Sequence, residues 1–214
     1  MSVTLADVTR YRIVPVVVVN DVANAAGLGA ALVAGGLPVA EVTFRTAAAA
    51  DTIKILAERG DITVGAGTVR SVAQVDQAVD AGATFIVSPG LRADIVLRAQ
   101  EAGVPVLPGA VTPSEILQAE ELGLKSVKFF PANVYGGAAA LKSLSAPFGD
   151  ISFIPTGGVS AANLAEFLVL PCVPAIGGSW MVPAKAVDNG EFDKVETLTR
   201  NAMSLVAQLT GGHN

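Results

Sequence analysis

A chain of 214 residues that is 51% hydrophobic and only 15% charged, with 22 glycines, can bury one sizeable core; it reads as a single domain over 1–214 and not as disordered sequence. Its net charge of −5 repels a nucleic-acid backbone or an anionic membrane on average, and the apolar run Ile13 to Val19 is far short of the roughly 20 residues that cross a bilayer. One cysteine, Cys172, and one histidine, His213, exclude a disulfide within the chain, zinc sites built from Cys and His, and His-dependent triads.

The opening MSVTLADVTRYR lacks the apolar segment of a signal peptide, so the expectation is a soluble cytoplasmic protein without nucleic-acid or membrane partners. In chain order, a helix over Thr4–Arg10 comes first and would close the bottom of a barrel. Short β-branched runs then recur, each followed by turn residues and an Ala/Leu-rich stretch of helical spacing. They predict strands at Val14–Val19, Ala40–Phe44, Thr63–Gly65, Phe85–Val87, Val104–Leu107, Ser126–Phe129, Ser152–Pro155 and Ala175–Gly177. Helix starts fall between them. Ser71 and Ser160 read as N-caps, and Thr112 with Pro113 and Glu115 reads as an N-cap, a first-turn proline and a capping-box partner. Phe192–Leu209 is the last long helix.

Eight βα units with no dividing linker predict an α/β protein of the (β/α)₈ or TIM-barrel class. The rival is an open doubly wound sheet, which in a dinucleotide-binding protein carries G-x-G-x-x-G at its first strand–helix turn. That turn reads VVVVNDVANA here, and Gly65-Ala66-Gly67-Thr68-Val69-Arg70 lacks the third glycine. No nucleotide cofactor is expected.

In a (β/α)₈ barrel the active site lies at the C-terminal ends of the strands. Period-two alternation along the second strand puts Glu41, Thr43 and Arg45 on the inward face, with Val42 and Phe44 turned to the helices. The same alternation along the sixth points Lys128 inward, away from Val127 and Phe129. Desolvating an ammonium there, close to the charge of Arg45, favours the neutral amine that attacks a ketone. The bland reading is a buried Lys128–Glu41 ion pair that only fills space; position at the catalytic end favours chemistry. Lys125, at the start of that strand, reads as solvated.

Glycine-rich turns after the last two strands, Thr156-Gly157-Gly158 and Gly177-Gly178-Ser179, let backbone N–H groups approach an anion where this fold commonly holds phosphate, though each is also an ordinary turn. The Thr68 hydroxyl, with Arg45, suits a carboxylate, or Thr68 merely ends a tight turn before the Ser71 cap. Cys172, between prolines, reads as a packing residue, and His213 as part of a tail.

The motifs LVAGGLPVAEVTFRT, VGAGTV, SPGL, VKFFPA, PTGGVS and IGGSWMVP, in this order over nearly the whole chain, resemble the 2-dehydro-3-deoxy-phosphogluconate aldolase family, also described as 4-hydroxy-2-oxoglutarate aldolase. The resemblance implies a trimeric (β/α)₈ aldolase working without metal or cofactor, which cleaves 2-dehydro-3-deoxy-6-phosphogluconate to pyruvate and glyceraldehyde 3-phosphate. It implies that Lys128 is the Schiff-base lysine and Glu41 the acid/base, with Arg45 and Thr68 at the pyruvate carboxylate. Phe130 would pack beside the imine and Pro89, in SPGL, against the substrate; Thr156, Gly157, Gly158 and Ser179 would line the aldehyde and phosphate end. Phe44, where the family commonly has leucine, and Asn133-Val134-Tyr135 depart from the pattern and are expected to stay clear of the chemistry. Two other classes remain: a sugar-phosphate isomerase or epimerase, which leaves Lys128 unexplained, and a non-catalytic sensor of a phosphorylated acid.

Overall fold

The structure is a computed structural model and describes residues 3–211; His213 lies outside them. Its elements alternate strand and helix: α1 (Leu5–Thr9), β1 (Ile13–Val17), α2 (Ala25–Ala34), β2 (Val39–Thr43), α3 (Ala49–Arg59), β3 (Thr63–Gly67), α4 (Val72–Asp80), β4 (Ile86–Val87), α5 (Ala93–Glu101), β5 (Val106–Leu107), α6 (Pro113–Glu121), β6 (Ser126–Phe129), α7 (Gly137–Ser145), β7 (Ser152–Pro155), α8 (Leu164–Leu168), β8 (Ile176–Gly178), α9 (Ala184–Asp188) and α10 (Phe192–Gly211).

Local chemistry sets many of these boundaries. Thr4 caps α1 and Thr112 caps α6, each closing a reciprocal capping box, with Asp7 and Glu115 respectively, and Pro113 occupies the first turn of α6. Ser71 caps α4 by accepting the Gln74 N–H. Ser160, expected to do the same for α8, does not: the helix starts after Asn163, and the Ser160 N–H donates to Asn163 Oδ1 at 2.8 Å. Its carbonyl accepts from Asn163 and Leu164 N–H. Ser160 therefore opens a turn ahead of the helix. The first strand also begins one residue early and ends at Val17, so Val18 and Val19 belong to the connection.

All strand pairings are parallel. Six strands form one sheet in the order β5-β4-β3-β2-β1-β8, and β6 pairs with β7 in a second. The continuous eight-stranded ladder expected from the sequence is thus not what is seen. At the two seams only isolated parallel bridges join the sheets, Gly109 to Lys128 and Thr156 to Gly177. The reason is chemical: Pro108-Gly109 follows β5, and Pro155 ends β7. Proline lacks the N–H a ladder needs, and glycine weakens a strand interior.

Every residue of β2 is buried, as expected of a parallel strand covered on both faces. Phe85, Phe129, Phe153 and Phe167 are the bulkiest fully buried side chains. They belong to one hydrophobic cluster that runs from Val8 to Val206. Among the described residues no helix is long and apolar enough to cross a membrane.

Candidate active site

Two strands far apart in sequence supply the central pair. Lys128, on β6, donates from Nζ to Glu41 Oε1, on β2, at 3.0 Å, and the two side chains are 7% and 4% exposed. The alternation read from the sequence therefore points both groups inward. Glu41 fits because the facing β3 backbone has no side chain at Gly67: a Cβ there would lie 2.3 Å from Glu41 Oε1. Two residues on, the buried Thr43 donates its hydroxyl to Val17 O at 2.9 Å, tying β2 to β1.

Around the pair the chain presents both a ring and a strained backbone. The Lys128 ammonium lies 5.3 Å from the centre of the Phe130 ring, within range of a cation–π attraction. Thr68 holds φ at 57°, a left-handed conformation that for a β-branched residue costs about 1–3 kcal/mol and tends to persist at functional sites. Gly177 makes room for the hydroxyl of the buried Thr156, since a Cβ would meet Oγ1 at 2.3 Å.

These groups open onto a cavity of about 590 Å³. Of the residues singled out from the sequence, its wall holds Glu41, Thr43, Arg45, Thr68, Pro89, Lys128, Phe130 and Thr156. Gly157, Gly158 and Ser179 are not in the wall. Gly157 and Gly158 instead form a turn with φ of 91° and 79°, where the Asn133 and Asn163 amides both donate to Gly158 O at 2.7 and 3.0 Å. Glu41 is the one acid in the wall, and no group of three or more potential metal ligands occurs among the described residues.

A cavity with a buried amine against a carboxylate can take up a carbonyl compound, exchange a proton between the pair and form a carbon–nitrogen bond. The family model for KDPG and KHG aldolases matches residues 5–198 of this chain. The chain belongs to the KDPG and KHG aldolase family. It is 44% identical over 198 residues to a 2-dehydro-3-deoxy-phosphogluconate aldolase of Treponema pallidum, covering 92% of this chain and 94% of that protein. It is likewise 44% identical over 196 residues to the KHG/KDPG aldolase of Escherichia coli K12, covering 91% and 92%. The crystal structure of the KDPG aldolase from Legionella pneumophila, with pyruvate captured at low pH as a covalent carbinolamine intermediate, matches with a TM-score of 0.90 at 36% identity, over 93% of this chain and 98% of that one.

Within this aldolase the cavity corrects one expectation and adds residues the sequence did not disclose. Phe44, assigned to the helix-facing side, lines the cavity. β2 ends at Thr43 and the Arg45 N–H turns back to Thr43 O at 2.7 Å, so period-two alternation no longer governs Phe44. Val16 and Arg70 also line it. Val16 lies on β1 two residues past Val14, a position that alternation could have found; Arg70 lies beyond β3, where no periodicity applies. Lys125 is exposed and paired with Asp150 at 2.7 Å, and Cys172 is half-buried away from the cavity.

Proposed function

We propose that this chain is a Schiff-base aldolase that needs no metal or cofactor and cleaves 2-dehydro-3-deoxy-6-phosphogluconate to pyruvate and glyceraldehyde 3-phosphate, with 4-hydroxy-2-oxoglutarate, giving pyruvate and glyoxylate, as a second substrate. The observation that carries the reading is the buried Lys128–Glu41 pair, 3.0 Å apart on the cavity wall.

Lys128 loses its proton to Glu41 and the neutral amine attacks C2 of the substrate, giving a carbinolamine. Proton return from Glu41 expels water and leaves a protonated imine. Glu41, a carboxylate again, takes the proton of the C4 hydroxyl. The C3–C4 electron pair then moves to the iminium, releasing the aldehyde and leaving an enamine. Protonation at C3 and hydrolysis of the imine free pyruvate and the lysine. The iminium is the electron sink, so the residues present suffice for the chemistry.

Arg45 and Thr68 hold the pyruvate carboxylate, while Pro89 and Phe130 pack around the imine. Thr156, Gly157, Gly158 and Ser179 form the aldehyde and phosphate end. In support, the Gly157 and Gly158 N–H groups have no acceptor among the described residues. An isomerase would leave Lys128 without a role.

The same reading takes the chain as a single domain over 1–214 closed into a (β/α)₈ barrel with α1 at its bottom, supported by the bridges across both seams and the one hydrophobic cluster. A cytoplasmic homotrimer goes with it, which sedimentation would test.

The deciding experiment is borohydride reduction with pyruvate in the presence of a chelator, followed by intact mass and peptide mapping. A pyruvyl adduct on Lys128 is expected, and Lys128→Ala should lose the adduct and at least about a thousandfold in turnover. Wild-type turnover in that variant, or a folded wild type that forms no adduct, overturns the reading.

A further inference from the structure

We propose that Arg70 is a specificity-determining residue that binds the acid group at the far end of the aldehyde half, a phosphate monoester or a carboxylate. The assignment rests on the aldolase reading. The cavity wall carries three cations, Arg45, Arg70 and Lys128, against one anion, Glu41. Lys128 is satisfied by Glu41, while neither guanidinium forms a salt bridge among the described residues. A local excess of positive charge on a chain of net charge −5 concentrates anions at that opening. A 2-oxo acid with one carboxylate occupies one arginine. The second arginine calls for a second acid group on the same substrate.

Arg70 is exposed, but its backbone is fixed. Its N–H donates to Gln74 Oε1 at 2.8 Å, and its carbonyl accepts from Arg92 Nη1 at 3.2 Å. Arg92 is itself paired with Asp94, and α4 begins just beyond at the Ser71 cap. The backbone is clamped on both sides while the guanidinium fork, suited to bidentate capture of phosphate or carboxylate, stays unpaired on the cavity wall. The turns after β7 and β8 contain no charged residue between Thr156 and Asn163 or between Gly177 and Pro183. They offer only neutral donors, among them backbone N–H groups and the hydroxyls of Thr156, Ser160 and Ser179.

The test runs the reaction toward addition, with pyruvate and three acceptors: glyceraldehyde 3-phosphate, glyoxylate and neutral D-glyceraldehyde. In Arg70→Ala the KM for the anionic acceptors should rise about tenfold more than that for D-glyceraldehyde, the effect of one charge-assisted hydrogen bond. Arg70→Lys should recover part of the difference, and salt should erode the wild-type preference toward that of Arg70→Ala. A shift confined to the phosphate arm identifies a phosphate subsite, and one confined to glyoxylate a carboxylate subsite; either supports the assignment. Equal changes for all three acceptors, or no change in either variant, overturn it. Borohydride trapping in parallel separates the two readings: a wild type without a Lys128 adduct defeats the aldolase, whereas an adduct with unaltered acceptor preference defeats Arg70 alone.

Discussion

At Gly67 the absence of a side chain positions a chemical group. Gly67 pairs with Thr43 in the β2–β3 register, two residues along from Glu41, and a Cβ on it would come within 2.3 Å of Glu41 Oε1 and 2.6 Å of Glu41 Cγ. The β3 backbone is fixed by its ladder, so the carboxylate must give way. Since misplacing a proton-transfer group by about 1 Å can cost roughly a hundredfold, Gly67→Ala should lower kcat about ten- to a hundredfold, with circular dichroism unchanged and borohydride trapping of pyruvate retained but slower. A kcat equal to that of wild type would show that Glu41 does not need this position. Lys128 and Glu41 were legible from the sequence because a charged residue inside a period-two apolar strand stands out. Phe44 and Arg70 were not, because both lie just past strand ends, where turns and not alternation aim the side chains.

At the scale of an element, α6 shows how a cap becomes a pH response. Glu115 Oε2 accepts from the Val111 N–H, the Thr112 N–H and the Thr112 hydroxyl. Burial pushes its carboxyl upward, but the bonds from Val111 and Thr112 together outweigh burial and hold it below its ordinary 4.5. A carboxyl lowered in the folded state adds stability that is present above the unfolded value and is lost as pH falls through the folded one. Glu115→Gln keeps a capping group of similar shape without the charge. It should be less stable than wild type by about 0.5–1 kcal/mol at neutral pH, and the gap in urea midpoint should close as pH drops below about 4.5. A gap that persists at pH 3 would assign the effect to packing. The sequence discloses such a cap because its three parts, Thr112, Pro113 and Glu115, stand at fixed offsets. Ser160 carries no such partner at the third position, which is Asn163, and the turn built by that asparagine displaces the helix start.

Across the whole molecule the strand ladder is uneven, and Lys128 of the candidate site lies at one of its two seams. β2 and β3 share five consecutive register pairs, whereas β5 meets β6 through one bridge, where Ala110 N–H donates to Lys128 O at 2.9 Å and Lys128 N–H to Pro108 O at 2.8 Å. Eight strand runs were visible in the sequence, but these seams were not: a proline or glycine beside a strand does not by itself say which neighbour loses a hydrogen bond. Regions with few ladder bonds open locally at lower free energy than the centre of a sheet. Amides of β2 and β3 should therefore exchange with solvent deuterium only at the rate of global unfolding, and those of Lys128 and Ala110 at least about tenfold faster. If Lys128 forms the proposed pyruvate imine, its reduction would place a ligand on β6 within the cavity that Arg45, beyond β2, also lines, and so would link the two sides. Exchange at Lys128 and Ala110 should then slow while that of β2 and β3 stays the same, because anything bound to the closed form alone stabilises it by mass action or by a bond. Uniform protection before reduction would mean that the ladder runs unbroken across the seam, and unchanged exchange after it would mean that the bound ligand does not couple β6 to β2.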